Sequence, residues 1–325
     1  IGGGAEDFLV INRGSQIQAN GTEQMPITLT AIADFQGTVD DNSRGLWGGL
    51  VINGFAPIND CPEGAAGGSA GCTKEGEANS GLFGGDQPND SSGTLRYVVV
   101  KYAGSNVDPE NQLNGIAFQG VGDGTTVEYI QVHNNLDDGV EFFGGTVNAK
   151  YVVLTGNADD SLDWTDGWVG KVQYIYIEQT DAGDNGIEAD NREGDELATP
   201  VANPSIANMT IAARSDQNGI RLRRGTGLFL FNSAVVSGNT CLRVQGESLN
   251  LLGTGITFDG VQLNCTTVNA GDDEAAVQSF LDGSNVTEGG ASPGTGTLPG
   301  DGFFEQNSVI GADFDSWKGT WVFGQ

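Results

Sequence analysis

The chain has 325 residues, with 14 Lys and Arg against 43 Asp and Glu, a formal net charge of −29 and a sequence pI near 4.1. So few cations exclude a nucleic-acid partner, which needs clustered Lys and Arg to release counterions, and they disfavour anionic membrane surfaces. The hydrophobic content of 38% suits a thin, elongated core, and no apolar run is long enough to span a membrane.

In chain order, the sequence begins at Ile1 without Met or an apolar leader, so a removed targeting segment or a longer parent chain is expected. Residues 8–31 hold two strand-like runs around Asn20-Gly21-Thr22, and Pro26 heads the second, where its missing N–H costs little. Residues 44–54 read as the next coil, with Ile27→Leu50 a step of 23. A long loop excursion over 56–93 follows, rich in Gly, Asn, Asp and Ser and containing Cys61 and Cys72. Excursions of this length on a compact scaffold are often functional.

From residue 95 a unit repeats. Apolar runs at 95–100, 127–132, 149–154, 172–177 and 206–211 are rich in β-branched and aromatic residues at strand length. Between them a short phrase recurs: Asn114-Gly115-Ile116, Asp138-Gly139-Val140, Asp160-Ser161-Leu162, Asn185-Gly186-Ile187, Asn218-Gly219-Ile220 and, degenerately, Thr240-Cys241-Leu242. Its apolar member steps by 24, 22, 25, 33 and 22 residues, and the 33 contains an insertion at 192–204 in which Glu196 reads as an inconsequential surface position. No intervening segment is long or periodic enough for a crossover helix. The expectation is one all-β domain over 1–325, a right-handed parallel β-helix solenoid with coils of about 22–25 residues. Beyond the body, Asp272-Asp273-Glu274 opens a short capped helix. Residues 284–299 read as a flexible loop. The cap region, 266–325, ends in a segment whose Phe304, Phe314, Trp317 and Trp321 carry enough aromatic area to cover an open coil end.

Stacking of coils about 4.8 Å apart turns equivalent positions into columns. Asn114, Asp138, Asp160, Asn185 and Asn218 form an Asn/Asp ladder at a turn. The next column, Gly115, Gly139, Ser161, Gly186 and Gly219, suggests a turn needing positive φ. Ile116, Val140, Leu162, Ile187, Ile220 and Leu242 point inward. Ala117, Glu141, Asp163, Glu188, Arg221 and Arg243 point outward and change sign along the axis. Tyr97, Tyr129, Tyr151 and Tyr174 form a further column, read either as corner aromatics or as a sugar-stacking stripe. Cys241 and Cys265 lie 24 residues apart, one coil, within disulfide reach, while Cys61 and Cys72 close a short loop. Two such bonds imply an oxidising compartment.

The phrases GSQIQANGTEQMPITLT, GLWGGLVING and IGADFDSWKGTW resemble β-helix proteins of the pectate-lyase-like superfamily found on Gram-negative bacterial surfaces. The resemblance implies a β-helix fold and an extracellular or outer-surface location in a bacterium. It names no reaction.

Two chemistries compete for the outward face. Asp137, Asp138, Asp159, Asp160 and Asp184 crowd one edge, where neighbouring carboxylates repel unless a hard cation, turn N–H groups or protons relieve them. Ca²⁺ accepts this mixture of oxygens and is the expected metal. Alternatively, Asp159-Asp160-Ser161-Leu162-Asp163 resembles the Asp-Asp element of polygalacturonase-like hydrolases, in which paired carboxylates act as acid and base. The Gly-His-Gly and Arg-Ile-Lys elements of that family are missing, and the lone His133 reads as a turn residue. A lyase would need an Arg base, with Arg192, Arg221, Arg223 and Arg224 as candidates opposite Asp163, Glu188 and Asp190. The enzymatic set is therefore Asp160, Asp163, Glu188, Arg221 and Arg223. The preferred expectation is an exported structural or adhesive β-helix, Ca²⁺-associated, presenting its loops to a glycan or protein partner or assembling with copies of itself as an oligomer or end to end. The alternative is a lyase or hydrolase of acidic polysaccharides. A deep groove with converging carboxylates would favour the enzyme, and a flat ladder the scaffold.

Overall fold

The computed structural model describes residues 1–108, 111–214 and 216–324; Gln325, the last residue of the expected cap region, lies outside them. Two sheets of parallel strands wind around one core. The short sheet stacks Phe8–Ile11, Gly49–Asn53, Ile116–Gln119, Val140–Phe143, Leu162–Thr165, Asn185–Ala189, Asn218–Leu222, Thr240–Val244 and Thr267–Gly271. The long sheet runs through Ile27–Ala31, Gly93–Lys101, Thr126–His133, Ala149–Thr155, Lys171–Glu178, Ser205–Ala212, Leu228–Val236 and Ile256–Asn264. The chain is a parallel β-helix.

Registers follow the columns through the body: Ile116 pairs with Val140, Val140 with Leu162, Leu162 with Ile187, Ile187 with Ile220 and Ile220 with Leu242. All six are fully buried, together with Val98, Ile130, Ile175 and Met209 from the facing sheet. The first coil departs from the spacing argument. Leu50 pairs with Leu9, whereas Ile27 belongs to the long sheet and pairs with Val98. The step of 23 between Ile27 and Leu50 matched an ordinary coil by coincidence, because the N-terminal turn is irregular.

From Gly93–Lys101 onward each of the seven long-sheet strands just named bends at one left-handed residue, so a single sheet supplies two walls of the coil. The bends lie at Tyr97, Tyr129, Tyr151, Tyr174, Asn208 and Asn232, with φ of 51, 55, 60, 62, 53 and 45°, and then at Gly260. A left-handed L-residue costs about 1–2 kcal/mol. The four tyrosines offset this by stacking at ring separations of 4.4, 4.3 and 5.0 Å, worth about 0.5–1.5 kcal/mol per pair beyond buried area. They are corner aromatics.

The glycine column has a different cause from the expected one. Gly115, Gly139, Gly186 and Gly219 are not in the left-handed region. A Cβ there would collide: at Gly115 with Val132 Cγ1 at 2.4 Å, at Gly219 with Val235 Cγ1 at 2.5 Å, at Gly139 with the Ser161 carbonyl at 2.5 Å. Close approach to the facing sheet and the next coil selects glycine.

The ends also differ. The helix Glu274–Asp282, N-capped by Asp273 accepting from the Ala276 amide at 3.0 Å, drives Val277 and Leu281 into the last coil and covers the open end. The C-terminal aromatic segment instead runs along the side. Trp321 meets Tyr97 and Tyr129 edge-on, Trp317 meets Tyr151, and Phe314 stacks on Tyr176 at 4.1 Å. It covers the tyrosine stack, so that column is closed to sugar stacking. Glu196 is not inconsequential either, since its carboxylate accepts the Glu247 amide at 2.8 Å.

Candidate functional site

The excursion of residues 56–93 folds onto the outer face of the short sheet. Ile58, Phe83 and Cys72 pack on Val51, Ala117, Leu113 and Phe143 in a second apolar cluster, outside the coil. The Cys61–Cys72 disulfide staples the loop, and Cys241–Cys265 joins neighbouring coils as the spacing predicts. With the loop as one wall and the insertion as the other, the sheet face becomes the floor of a cleft of about 410 Å³. Its floor carries Glu141, Asp163 and Thr165, and its walls Asp60, Lys74, Asp166, Asp190, Arg192, Arg223 and Arg224. This is a cleft with converging carboxylates.

Register fixes the floor: Glu141 pairs with Asp163, Asp163 with Glu188, Glu188 with Arg221 and Arg221 with Arg243. Asp163 is the pivot. One of its oxygens lies within 4.8 Å of oxygens from Asp138 and Glu141, and it meets Asp160 and Glu188 within the same limit. At that separation two unit charges repel by about 3 kcal/mol at an effective dielectric of about 20. Asp163 accepts no hydrogen bond and makes no ion pair among the described residues. Burial, then Glu141 and Asp160, hold its carboxyl well above the usual range. Burial followed by Asp163 does the same to Asp138, burial followed by Glu77 to Glu141, and burial followed by Glu188 to Asp160.

The edge residues behave as a ladder with two metal-compatible groups, Asp137–Asp138–Asp159 and Asp159–Asp160–Asp184. Asp138 Oδ1 accepts the Asp160 amide at 2.9 Å; Asp160 Oδ1 accepts the Asn185 amide at 2.7 Å and its side-chain nitrogen at 2.9 Å; Asn185 Oδ1 accepts Asn218 Nδ2 at 3.2 Å. Asn114 leaves the ladder and turns to Glu141 and Glu77. Backbone N–H groups thus satisfy Asp138 and Asp160, Asn114 satisfies Glu141 and two arginines satisfy Glu188, which leaves Asp163 as the unsatisfied member of both floor triads.

The arginines are held by acids. Arg221 meets Glu188 at 2.7 Å; Arg223 meets Asp190 at 2.7 Å and also Glu188; Arg224 meets Asp190 at 2.6 Å. Burial lowers the Arg223 guanidinium, but its bond to Asp190 and the charge of Glu188 keep it above its ordinary value. From the loop, Lys74 reaches Asp60 at 2.6 Å and Asp166 at 3.2 Å, and Arg192 reaches Asp60 at 2.7 Å. His133 lies on the long sheet, bonded to Thr155 Oγ1 at 2.8 Å and lowered to about 4 by burial first and then Lys101 and Arg44. It takes no part in the cleft.

Sequence reasoning missed Lys74, Asp60, Asp166 and Glu141 as cleft residues, and Glu77 as the loop acid bonded to Asn114 beside them. Glu141 was visible as an outward column member. The loop residues carried no periodic signal.

The oxygen donor set fits a hard divalent cation. Oxygens sharing one Ca²⁺ at about 2.4 Å lie no more than about 4.8 Å apart, which both Asp163 triads satisfy. A family description, pectate-lyase-like β-helix domain, matches residues 1–322. No curated protein and no solved structure matches the chain.

Proposed function

Because the chain belongs to the pectate-lyase-like β-helix family and carries a carboxylate-floored cleft rimmed by cations, we propose that it is an exported protein that binds Ca²⁺ at Asp163 and, through it, an acidic polysaccharide. The observation that carries this is Asp163 itself, which belongs to both floor triads and whose carboxylate has no hydrogen bond or ion pair among the described residues. A cation relieves the repulsion and leaves coordination positions for carboxylates of the ligand. Lys74, Arg192, Arg223 and Arg224 along the walls supply donors to those carboxylates. The two disulfides fit an oxidising compartment. The rod holds the loop and presents the cleft, an adhesive role at or beyond the cell surface.

A second reading, a glycoside hydrolase, is the one that a cleft with converging carboxylates favours over a flat ladder, and burial with neighbouring charge raises the Asp163 and Glu141 carboxyls in the direction a general acid needs. A lyase is less favoured, since each candidate base is paired with an acid: Arg192 with Asp60, Arg221 with Glu188, Arg223 with Glu188 and Asp190, and Arg224 with Asp190.

Affinity electrophoresis through gels containing polygalacturonate tests the proposal. Retardation should require Ca²⁺, vanish in chelator and vanish in Asp163→Asn. Equal mobility with and without Ca²⁺ would reject it. Release of reducing ends from the gel polymer would move the assignment to the hydrolase.

A further inference from the structure

The coil is finished before the chain ends. The helix Glu274–Asp282 fills the open end, the strand Asn285–Glu288 closes the long sheet, and among the described residues no strand follows it. No residue beyond Val286 belongs to the main core. The remaining segment, residues 296–324, lies outside the coil in two apolar clusters of its own. Leu298 and Phe304 pack on Ala207, and Trp321 and Val322 pack on Val99 and Val153. The tail is a separate packing unit.

The rod meets it with side-chain amides rather than a strand edge. Gln173 donates from Nε2 to the Glu305 carbonyl at 2.9 Å and accepts the Glu305 amide at 2.8 Å. Gln131 does the same with Phe323, at 3.0 and 2.8 Å, and Asn232 with Gly296, at 3.4 and 2.7 Å. All three amides are fully buried beneath the tail. A carboxamide that gives one bond and takes one replaces the peptide group of a neighbouring strand, so this face reads the backbone of an extended segment as a sheet edge would. Phe314, Trp317 and Trp321 on the tyrosine column set the register. Charge agrees, because two of the chain's five lysines, Lys150 and Lys171, pair here with Glu305 and Asp301 of the tail. The face is a peptide groove with its ligand in place.

The link leaves the choice of occupant open. Residues 290–295 make no backbone–backbone hydrogen bond among the described residues. Side-chain bonds from Thr287 to the Ala291 carbonyl and from Asn285 to the Gly294 carbonyl hold them instead. A second copy carries the same tail, so every contact made within one chain is available between two, and exchange costs only the entropy of association. We infer that the groove accepts the tail of a second copy and that exchanged tails join two rods. In dilute solution the chain's own tail wins, since its link gives it an effective concentration on the order of mM. The groove lies on the long sheet and the Ca²⁺ cleft on the short one, so neither claim rests on the other.

Light scattering after size exclusion tests the inference on the full chain with its disulfides intact. Unfolded in urea and refolded at about millimolar concentration, the wild type should give a species of twice the monomer mass; refolded dilute, it should give monomer. Gln131→Leu with Gln173→Leu spoils the groove and leaves the tail, whereas Trp317→Ala with Trp321→Ala spoils the tail and leaves the groove. Each double variant alone should form at least about tenfold less dimer than the wild type. Refolded together, the two should recover a one-to-one complex, with the sound tail in the sound groove. A wild type that is monomeric at both concentrations would overturn the inference whatever the variants do. So would dimer formation that the groove variant leaves unchanged, since another surface would then join the copies. A mixture that recovers nothing, while both variants keep the wild-type circular dichroism, would overturn it too.

Discussion

Asn114 gives one amide nitrogen to two carboxylates, Glu141 of the sheet at 2.6 Å and Glu77 of the stapled loop at 3.1 Å. That atom joins scaffold to loop, and the two acids it bridges are each raised, by burial first and by neighbouring carboxylates second.

A pH dependence follows from this joint. Burial, then Asp137, pushes Glu77 from 4.5 to about 8, and burial, then Asp159, pushes Asp137 from 3.8 to about 6. The folded state therefore holds more protons than the unfolded state between these values, and stability falls as pH rises through them. In chelator, melting temperature should be highest near the low end and decline until about pH 8, and Glu77→Gln should flatten the upper part of that decline. A melting temperature that rises over the same window would contradict the assignment.

The ladder predicts opposite effects for two kinds of substitution. Asn185→Leu removes the bonds to Asp160 and Asn218 and should destabilise by about 2–4 kcal/mol. Asp138→Asn with Asp160→Asn keeps the acceptors for the Asp160 and Asn185 amides while removing charge. The double variant should melt above the wild type in chelator and lose its response to Ca²⁺. Chemical denaturation ranks them.

Column register was legible because it rests on a strict alternation: a one-residue slip at Val140 or Ile187 would expose the core. The disulfide between Cys241 and Cys265 followed from the same coil length. The cleft was half legible. Asp163 and Glu188 stood in an outward column, yet nothing local told that Ile58 and Phe83 dock on Val51 and Ala117, since that contact is tertiary and aperiodic. The glycine column was read through backbone conformation when close packing against Val132 and Val235 was the cause. The tail was misplaced for a related reason: aromatic content gives area, and only the stacked left-handed tyrosines give it an address.

The glycine account is tested at one position. Gly139→Ala places a Cβ 2.4 Å from Asn157 Nδ2 and 2.5 Å from the Ser161 carbonyl, and should cost about 1–3 kcal/mol by overpacking. Gly290→Ala meets nothing within 4 Å and should be near neutral. Equal melting of the two variants would refute close packing as the cause.

The disulfides separate stability from site. They close 11 and 24 residues, worth about 3 and about 3.5 kcal/mol in the chain-entropy account. Replacing Cys61 and Cys72 by Ser should loosen Lys74 and Glu77 and weaken Ca²⁺ affinity. Replacing Cys241 and Cys265 should lower the melting temperature yet leave that affinity unchanged. Calorimetry on both variants reads the difference, and identical losses of affinity would contradict the role given to the loop.

The most direct measurement is a calorimetric titration of Ca²⁺ into the wild-type chain and into Asp163→Asn, with Asp184→Asn as a control on the exposed edge. Asp163 joins Asp138 and Glu141 on one side and Asp160 and Glu188 on the other. The wild type and Asp184→Asn should bind with similar affinity, and Asp163→Asn should lose binding by at least about a hundredfold, or about 2.7 kcal/mol. An Asp163→Asn chain that binds Ca²⁺ as tightly as the wild type would contradict the account.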